Sequence, residues 1–105
     1  MENQRHSEIF RQGVAVWNQW RKEHPNEKPY LTGMNLWGGG QYQGVNLRRA
    51  HLMGAGLRWS DFSKADFSRA HLSLANLKGA CCNEANFNEA NLSRANLKRA
   101  SFTRT

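Results

Sequence analysis

From Val45 onward a leucine or phenylalanine recurs at every fifth residue, and that period excludes most folds. The positions are Leu47, Leu52, Leu57, Phe62, Phe67, Leu72, Leu77, Phe87, Leu92, Leu97 and Phe102, with Cys82 in the one remaining place. Two residues before each stands a small side chain: Val45, Ala50, Ala55, Ser60, then alanine at every fifth position from Ala65 to Ala100. Asn, Asp or His mostly fills the place between, as at Asn46, His51, Asp61, Asp66, His71 and Asn76. A period of five fits neither the 3.6 of a helix nor the 2 of a flat strand. The backbone must turn a corner about once per unit and point two small-to-medium apolar residues inward each time. Stacked turns then share one narrow interior, as solenoids do.

Grouping every fourth centre sorts the residue types. Leu52, Leu72 and Leu92 form one column, and Leu57, Leu77 and Leu97 another; Leu47, Phe67, Phe87 and Phe62, Cys82, Phe102 complete the set. Grouping by three mixes leucine with phenylalanine, so the spacing predicts four units, or 20 residues, per coil.

The strings Ala65-Asp66-Phe67, Ala75-Asn76-Leu77, Ala85-Asn86-Phe87, Ala90-Asn91-Leu92 and Ala95-Asn96-Leu97 resemble the A(D/N)LXX motif of the pentapeptide-repeat family. That resemblance implies an all-β fold, a right-handed quadrilateral parallel β-helix with the centre and alanine positions stacked inside. It implies little about activity, because one fold hosts unrelated functions. Some members mimic duplex DNA with an acidic rod, and this chain has the opposite charge, +7. The segment Gly13–Arg21, GVAVWNQWR, is similar to the leader of cyanobacterial members.

Upstream the register slips once. Leu31 and Leu36 are five apart, but Leu36 to Leu47 is eleven, which places an extra residue near Gly38-Gly39-Gly40. Tyr42 takes the next centre. A glycine-rich insertion reads as a bulge or widened corner; the alternative is a flexible binding loop that exposes Trp37 and Tyr42. Earlier still, Ile9, Phe10, Val14, Val16, Trp17 and Trp20 follow helical spacing, with Ser7 as N-cap, Arg21 and Lys22 in the last turn, and His24-Pro25 as the stop. A repeat stack must cover its end layer. The expected organisation is therefore a disordered tail over 1–6, a capping helix and connector over 7–30 that docks Ile9, Val16, Trp17 and Trp20, and about four coils over 31–105. The tryptophans are read as core anchors in preference to a ligand site.

No such lid follows Phe102. The coil of Phe87, Leu92, Leu97 and Phe102 is expected to present an apolar layer and unpaired edges, and such edges invite pairing. A homodimer through this coil is the preferred expectation; the alternatives are a chain truncated at this point and a layer shielded by its own polar rim.

No phosphate loop, zinc-protease, CxxC or GxSxG motif occurs, and neither catalytic residues, cofactors nor metal ligands are expected. His51 and His71 stand one coil apart, about 4.8 Å, but Asn91 follows in their column and supplies no third ligand. Adjacent Cys81 and Cys82 point one outward and one inward, which suits structure better than redox pairing. No apolar run long enough for a membrane helix, and no signal peptide, is visible, so a cytoplasmic protein with no membrane partner is expected.

Residues 1–30 carry five Lys/Arg against four Glu, whereas residues 31–105 carry ten against four acidic residues. Arg58, Lys78 and Lys98 fall in one slot of three successive coils, with Trp59 and Arg99 beside them; Arg48, Arg49 and Arg69 lie in the neighbouring columns. Like charges so close repel, so the ladder is either a solvated face or a dock for an anionic partner. The resulting expectation is a bacterial, non-enzymatic interaction module with a protein partner. The alternative is electrostatic nucleic-acid binding through the basic face.

Overall fold

The computed structural model describes residues 3–36 and 39–105. Trp37 and Gly38, part of the predicted insertion, lie outside the described residues. The repeats form a four-cornered coil. Parallel bridges join Gln41 to Asp61, Asn46 to Asp66, His51 to His71 and Gly56 to Asn76, then continue to Cys81 with Ser101, each pair 20 residues apart. Among the described residues every bridge is isolated, with none extended into a strand of regular length, because each face of the coil is too short for one. In the first coil the separations are 21, as in Tyr30 with His51 and Asn35 with Gly56. The extra residue thus falls after Leu36 and before Gln41, where the spacing placed it.

In an interior unit most of the amides are accounted for by backbone bonds along and between the coils. In the unit centred on Leu47, the centre amide donates to Asp66 O at 2.7 Å, Arg49 N to Ser68 O at 2.9 Å, and Ala50 N back to Leu47 O at 3.0 Å. Asp66 N returns to Val45 O at 2.9 Å. One amide per unit remains, that of the residue after the centre, and where Asn or Asp precedes the centre its side chain accepts it. Asn46 Oδ1 takes Arg48 N at 3.1 Å, Asp66 Oδ1 takes Ser68 N at 2.9 Å, and Asn76, Asn86, Asn91 and Asn96 repeat the bond. A buried amide without a partner is costly, which explains the preference for Asn and Asp at this slot.

The turn has a second requirement. Its third residue is left-handed at every fifth position from Gly44 to Arg104, with φ between 59° and 71°. Ten of these residues are not glycine, among them Trp59, Arg69, Leu74 and Arg99. Each costs on the order of 1 kcal/mol of backbone strain, which the surrounding rungs and core must over-determine.

The centres and small residues from Val45 to Ala85 are buried. Aromatic stacking runs through them: Phe10 on Tyr42 at 5.4 Å, Tyr42 on Phe62 at 5.3 Å, Phe62 against Phe67 at 5.2 Å and Phe67 on Phe87 at 4.8 Å. Tyr42 is therefore a half-buried link between cap and coil, which overturns the reading of Tyr42 as part of an exposed loop. The glycines here serve close approach: a Cβ on Gly39 would stand 2.5 Å from the Trp59 carbonyl oxygen.

Two helices form the cap where one was expected. Helix α1 spans Gln4–Phe10 and helix α2 spans Val14–Glu23. Gly13, at φ 108°, breaks them apart in a conformation other residues rarely adopt. The N-cap is Asn3, whose side chain accepts the His6 amide at 3.2 Å; Ser7, the expected cap, is buried inside α1. Residues 4–6, expected as tail, are helical, because His6 is buried and tied to the coil. Its Nδ1 accepts the Tyr30 amide at 3.0 Å and its Nε2 donates to Glu27 at 3.0 Å, while Asn3 N donates to Tyr30 O at 2.8 Å.

Helix α2 supplies a missing rung. Among the described residues Asn46 has no parallel bridge from an earlier coil, and α2 side chains take its place. Asn18 Oδ1 accepts Asn46 N at 2.8 Å and its Nδ2 donates to Gly44 O at 3.1 Å. Trp17 Nε1 and Arg21 donate to Asn46 O at 2.7 and 3.1 Å, and Arg21 also donates to Arg48 O at 2.7 Å. Arg21 is buried by this arrangement, and desolvation pulls its pKa below the usual arginine value.

Candidate interaction surfaces

The basic column forms as the spacing predicted. Trp59 N donates to Lys78 O at 2.8 Å and Gly79 N to Lys98 O at 2.8 Å, so these rungs lock Arg58, Lys78 and Lys98 into one turn slot and Trp59, Gly79 and Arg99 into the next. Lys98 and Arg99 are exposed and Lys78 is half-buried. Among the described residues neither Lys78 nor Lys98 has an acidic partner within ion-pair distance. The indole of Trp59 lies directly on Gly79: a Cβ there would fall 2.1 Å from Trp59 Cε3. Trp59 is nevertheless 53% exposed, so one ring face is covered by the coil and the other is presented outward. The glycine beneath it was visible in the sequence, but only the coil shows that the two residues meet.

The neighbouring column behaves differently. Arg48 donates to Ser68 Oγ at 3.0 Å and Arg69 Nε donates to Glu89 at 3.0 Å. Here a stacked cation has found a partner in the next coil. Beside it, His51 and His71 stack at 4.8 Å with a 15° tilt, and Tyr30 stacks on His51 at 4.8 Å. Stacked imidazoles offer each other ring faces, not lone pairs. Among the described residues no group of three or more His, Cys, Asp or Glu side chains converges on a point.

In the cap, Trp17 and Trp20 are buried and Ile9 is partly buried, but Val16 is 44% exposed. The expectation that Val16 docks on the coil is thus corrected. Val16 sits one position before the face that Trp17, Trp20 and Arg21 turn inward, and with Ile9 and Ala15 it lines an open apolar groove outside the cap. Trp20 packs against His6 at 5.0 Å and His24 at 5.3 Å.

At the far end Phe87, Leu92 and Phe102 are half-buried and Leu97 is 37% exposed, in contrast to the sealed centres above them. The amides of Phe87, Leu92 and Leu97, which would donate to a further coil, make no backbone bond among the described residues.

The two cysteines sit as expected, Cys82 buried and Cys81 partly exposed, and both are free thiols. Burial pushes the Cys82 thiol up to about 12. The Cys81 thiol is lowered, chiefly by its contact with Ser63 Oγ at 3.2 Å. Ser63 also donates to Asp61 Oδ1 at 2.6 Å, and with the Ser63 amide it holds that carboxyl below its ordinary range.

These features define a class: a solenoid of five-residue turns, four to the coil, closed at one end by a helical cap. A family model for pentapeptide repeats (8 copies) matches residues 42–69 and 70–105, and the chain belongs to the pentapeptide-repeat family. Its structural neighbours adopt the right-handed quadrilateral β-helix. One is the pentapeptide repeat protein Rfr23 from the cyanobacterium Cyanothece 51142, at 27% identity and TM-score 0.50 over 73% of this chain and 58% of Rfr23. The chain thus spans less than two thirds of that relative. Another, from Nostoc PCC 7120, is 29% identical over 86% of this chain and 75% of its own, with TM-score 0.36. A third, from the Arabidopsis thaliana thylakoid lumen, is 23% identical over 68% of this chain and 63% of its own, with TM-score 0.40. No curated protein matches the chain with significance. Among the described residues no helix is long and apolar enough to cross a membrane.

Proposed function

We propose that the chain is a non-enzymatic interaction module, a right-handed quadrilateral β-helix that docks an acidic protein through the face of Arg58, Trp59, Lys78, Lys98 and Arg99. The observation that carries this reading is the indole of Trp59, held flat on Gly79 with its outer face open and cations in the same and adjoining slots. A large aromatic fixed at a rigid site and flanked by positive charge is the composition of an interface anchor. Family membership supports the non-enzymatic part, since pentapeptide-repeat proteins are generally structural repeat proteins. The two free thiols suit a reducing compartment such as the cytoplasm. The open layer of Phe87, Leu92, Leu97 and Phe102 favours a second role, end-to-end association with another copy.

The test of the main reading compares the protein with the triple variant Arg58→Ser/Lys78→Ser/Lys98→Ser and with Trp59→Ser. Each is offered lysate, and labelled duplex and single-stranded DNA at ~50 and ~200 mM salt. The expected result is capture of one acidic protein, lost in both variants, with no DNA binding. Equal capture by the variants overturns it, and tight salt-sensitive DNA binding replaces it with the nucleic-acid reading. Light scattering on a size-exclusion column tests the self-association: the protein should be dimeric and Leu97→Lys monomeric, and a monomeric parent protein overturns it.

A further inference from the structure

A second charged site lies in another set of columns, where the connector meets the first two coils. Lys28, Arg49, His51, Arg69 and His71 line a cleft of about 250 Å³, and among the described residues no acidic one lines it. Local structure brings them together from three parts of the chain. Pro29 is buried and its carbonyl accepts the His51 amide at 2.9 Å, which pins Lys28 at the rim. Arg49 and Arg69 occupy the left-handed turn slot of successive coils, at φ 61° and 59°, and the two histidines stack beside them.

Charge in this cleft is only partly balanced. Arg69 gives its Nε to Glu89 at 3.0 Å. Glu27, on the same connector as Lys28, turns to Arg5 at 2.7 Å and His6 at 3.0 Å. Lys28 and Arg49 have no ion pair among the described residues. Tyr30 covers the other face of His51 and brings no charge. Two stacked arginine positions and a lysine repel one another unless an anion shares the space.

We infer that this cleft is a binding site for a tetrahedral oxyanion of the phosphate class, free or as the monoester of a small molecule. The lining groups are hydrogen-bond donors that converge on one cleft, and arginine is suited to bidentate contact with phosphate oxygens. Burial, then His71 and Lys28, hold the His51 ring below its ordinary pKa. A bound dianion opposes that shift, so its arrival should raise the His51 titration, and its affinity should increase as pH falls and the His51 ring charges. The inference is separate from the Trp59 face and survives if that reading fails.

The experiment follows the His51 and His71 ring signals by NMR while inorganic phosphate, glycerol phosphate or sulfate is added to the full chain at low ionic strength. Sulfate keeps its charge across the titration of histidine and serves for the pH comparison. The expected result is saturable, one-to-one shifts of both rings, an upward move of the His51 titration, and tighter sulfate binding at the lower pH. Arg49→Asn, which tolerates the left-handed slot, and Lys28→Ser, outside the repeats, should each weaken binding by about tenfold or more. The triple variant of the Trp59 face should bind as the parent does. Tighter binding of the ester than of inorganic phosphate assigns an esterified ligand, and the reverse assigns the free anion. Absence of ring shifts, or full binding by folded Arg49→Asn and Lys28→Ser, overturns the inference.

Discussion

Gly79→Ala should destabilise the coil more than Gly54→Ala, although both glycines fill the same left-handed turn slot. Gly54 has φ 67° and nothing within 4 Å of where a Cβ would stand; Gly79 has φ 69° and the Trp59 ring 2.1 Å away. At Gly54 the substitution adds a left-handed penalty of about 1–2 kcal/mol and recovers about 0.5–1 kcal/mol of unfolded-state entropy. The net loss is about 1 kcal/mol or less. At Gly79 the indole must also move. A tryptophan can bury about 150–250 Å², and Trp59 is 53% exposed, so about 100 Å² is covered. At about 25 cal/mol per Å² this sets a ceiling of about 2–3 kcal/mol for complete displacement. Partial displacement should give an excess of about 1–2 kcal/mol over Gly54→Ala. Urea denaturation followed by circular dichroism measures both variants, alone and in a Trp59→Ser background, and the double-mutant cycle isolates the ring contact. Equal losses at the two glycines, or an excess that persists without Trp59, would refute the packing of the indole on Gly79.

Other substitutions probe the core, the thiols and the acid limb. Leu77 is fully buried, so Leu77→Ala should lose about 2–5 kcal/mol and Leu77→Asp should unfold the stack, because its charge would have no partner; an unchanged melting temperature for Leu77→Asp would overturn the register. Under native conditions iodoacetamide should modify Cys81 and spare Cys82, whose thiol is buried and raised to about 12; mass spectrometry showing both modified at equal rates would contradict this. Asp61 has its folded pKa depressed by Ser63, so its contribution is present above the unfolded carboxylate value and is lost as pH falls through the folded one. Asp61→Asn should flatten that limb of the stability profile, and an unaltered profile would show that the Ser63 contacts do not bind the carboxylate preferentially.

The five-residue period by itself determined the coil, its four corners, the columns of the core, the inserted residue after Leu36 and the alignment of Arg58, Lys78 and Lys98. Repetition makes these legible, because each contact recurs at a fixed offset of 20 residues and every unit restates it. The left-handed slot is not announced in this way: Gly44, Gly54 and Gly79 stand in it, but ten other residues accept that conformation and mask the signal. What happens once per molecule has no such echo. The break at Gly13, the burial of His6 against Tyr30 and the exposure of Val16 depend on how the cap meets the first coil. Asn18 and Arg21 reach Asn46 and Arg48 across 25 to 28 residues with no repeat to announce it. Lys28 joins Arg49 and His51 for the same reason. Only the tertiary structure decides which side chains satisfy the unpaired edge of a first coil, because that edge must bond to whatever segment the chain folds back over it.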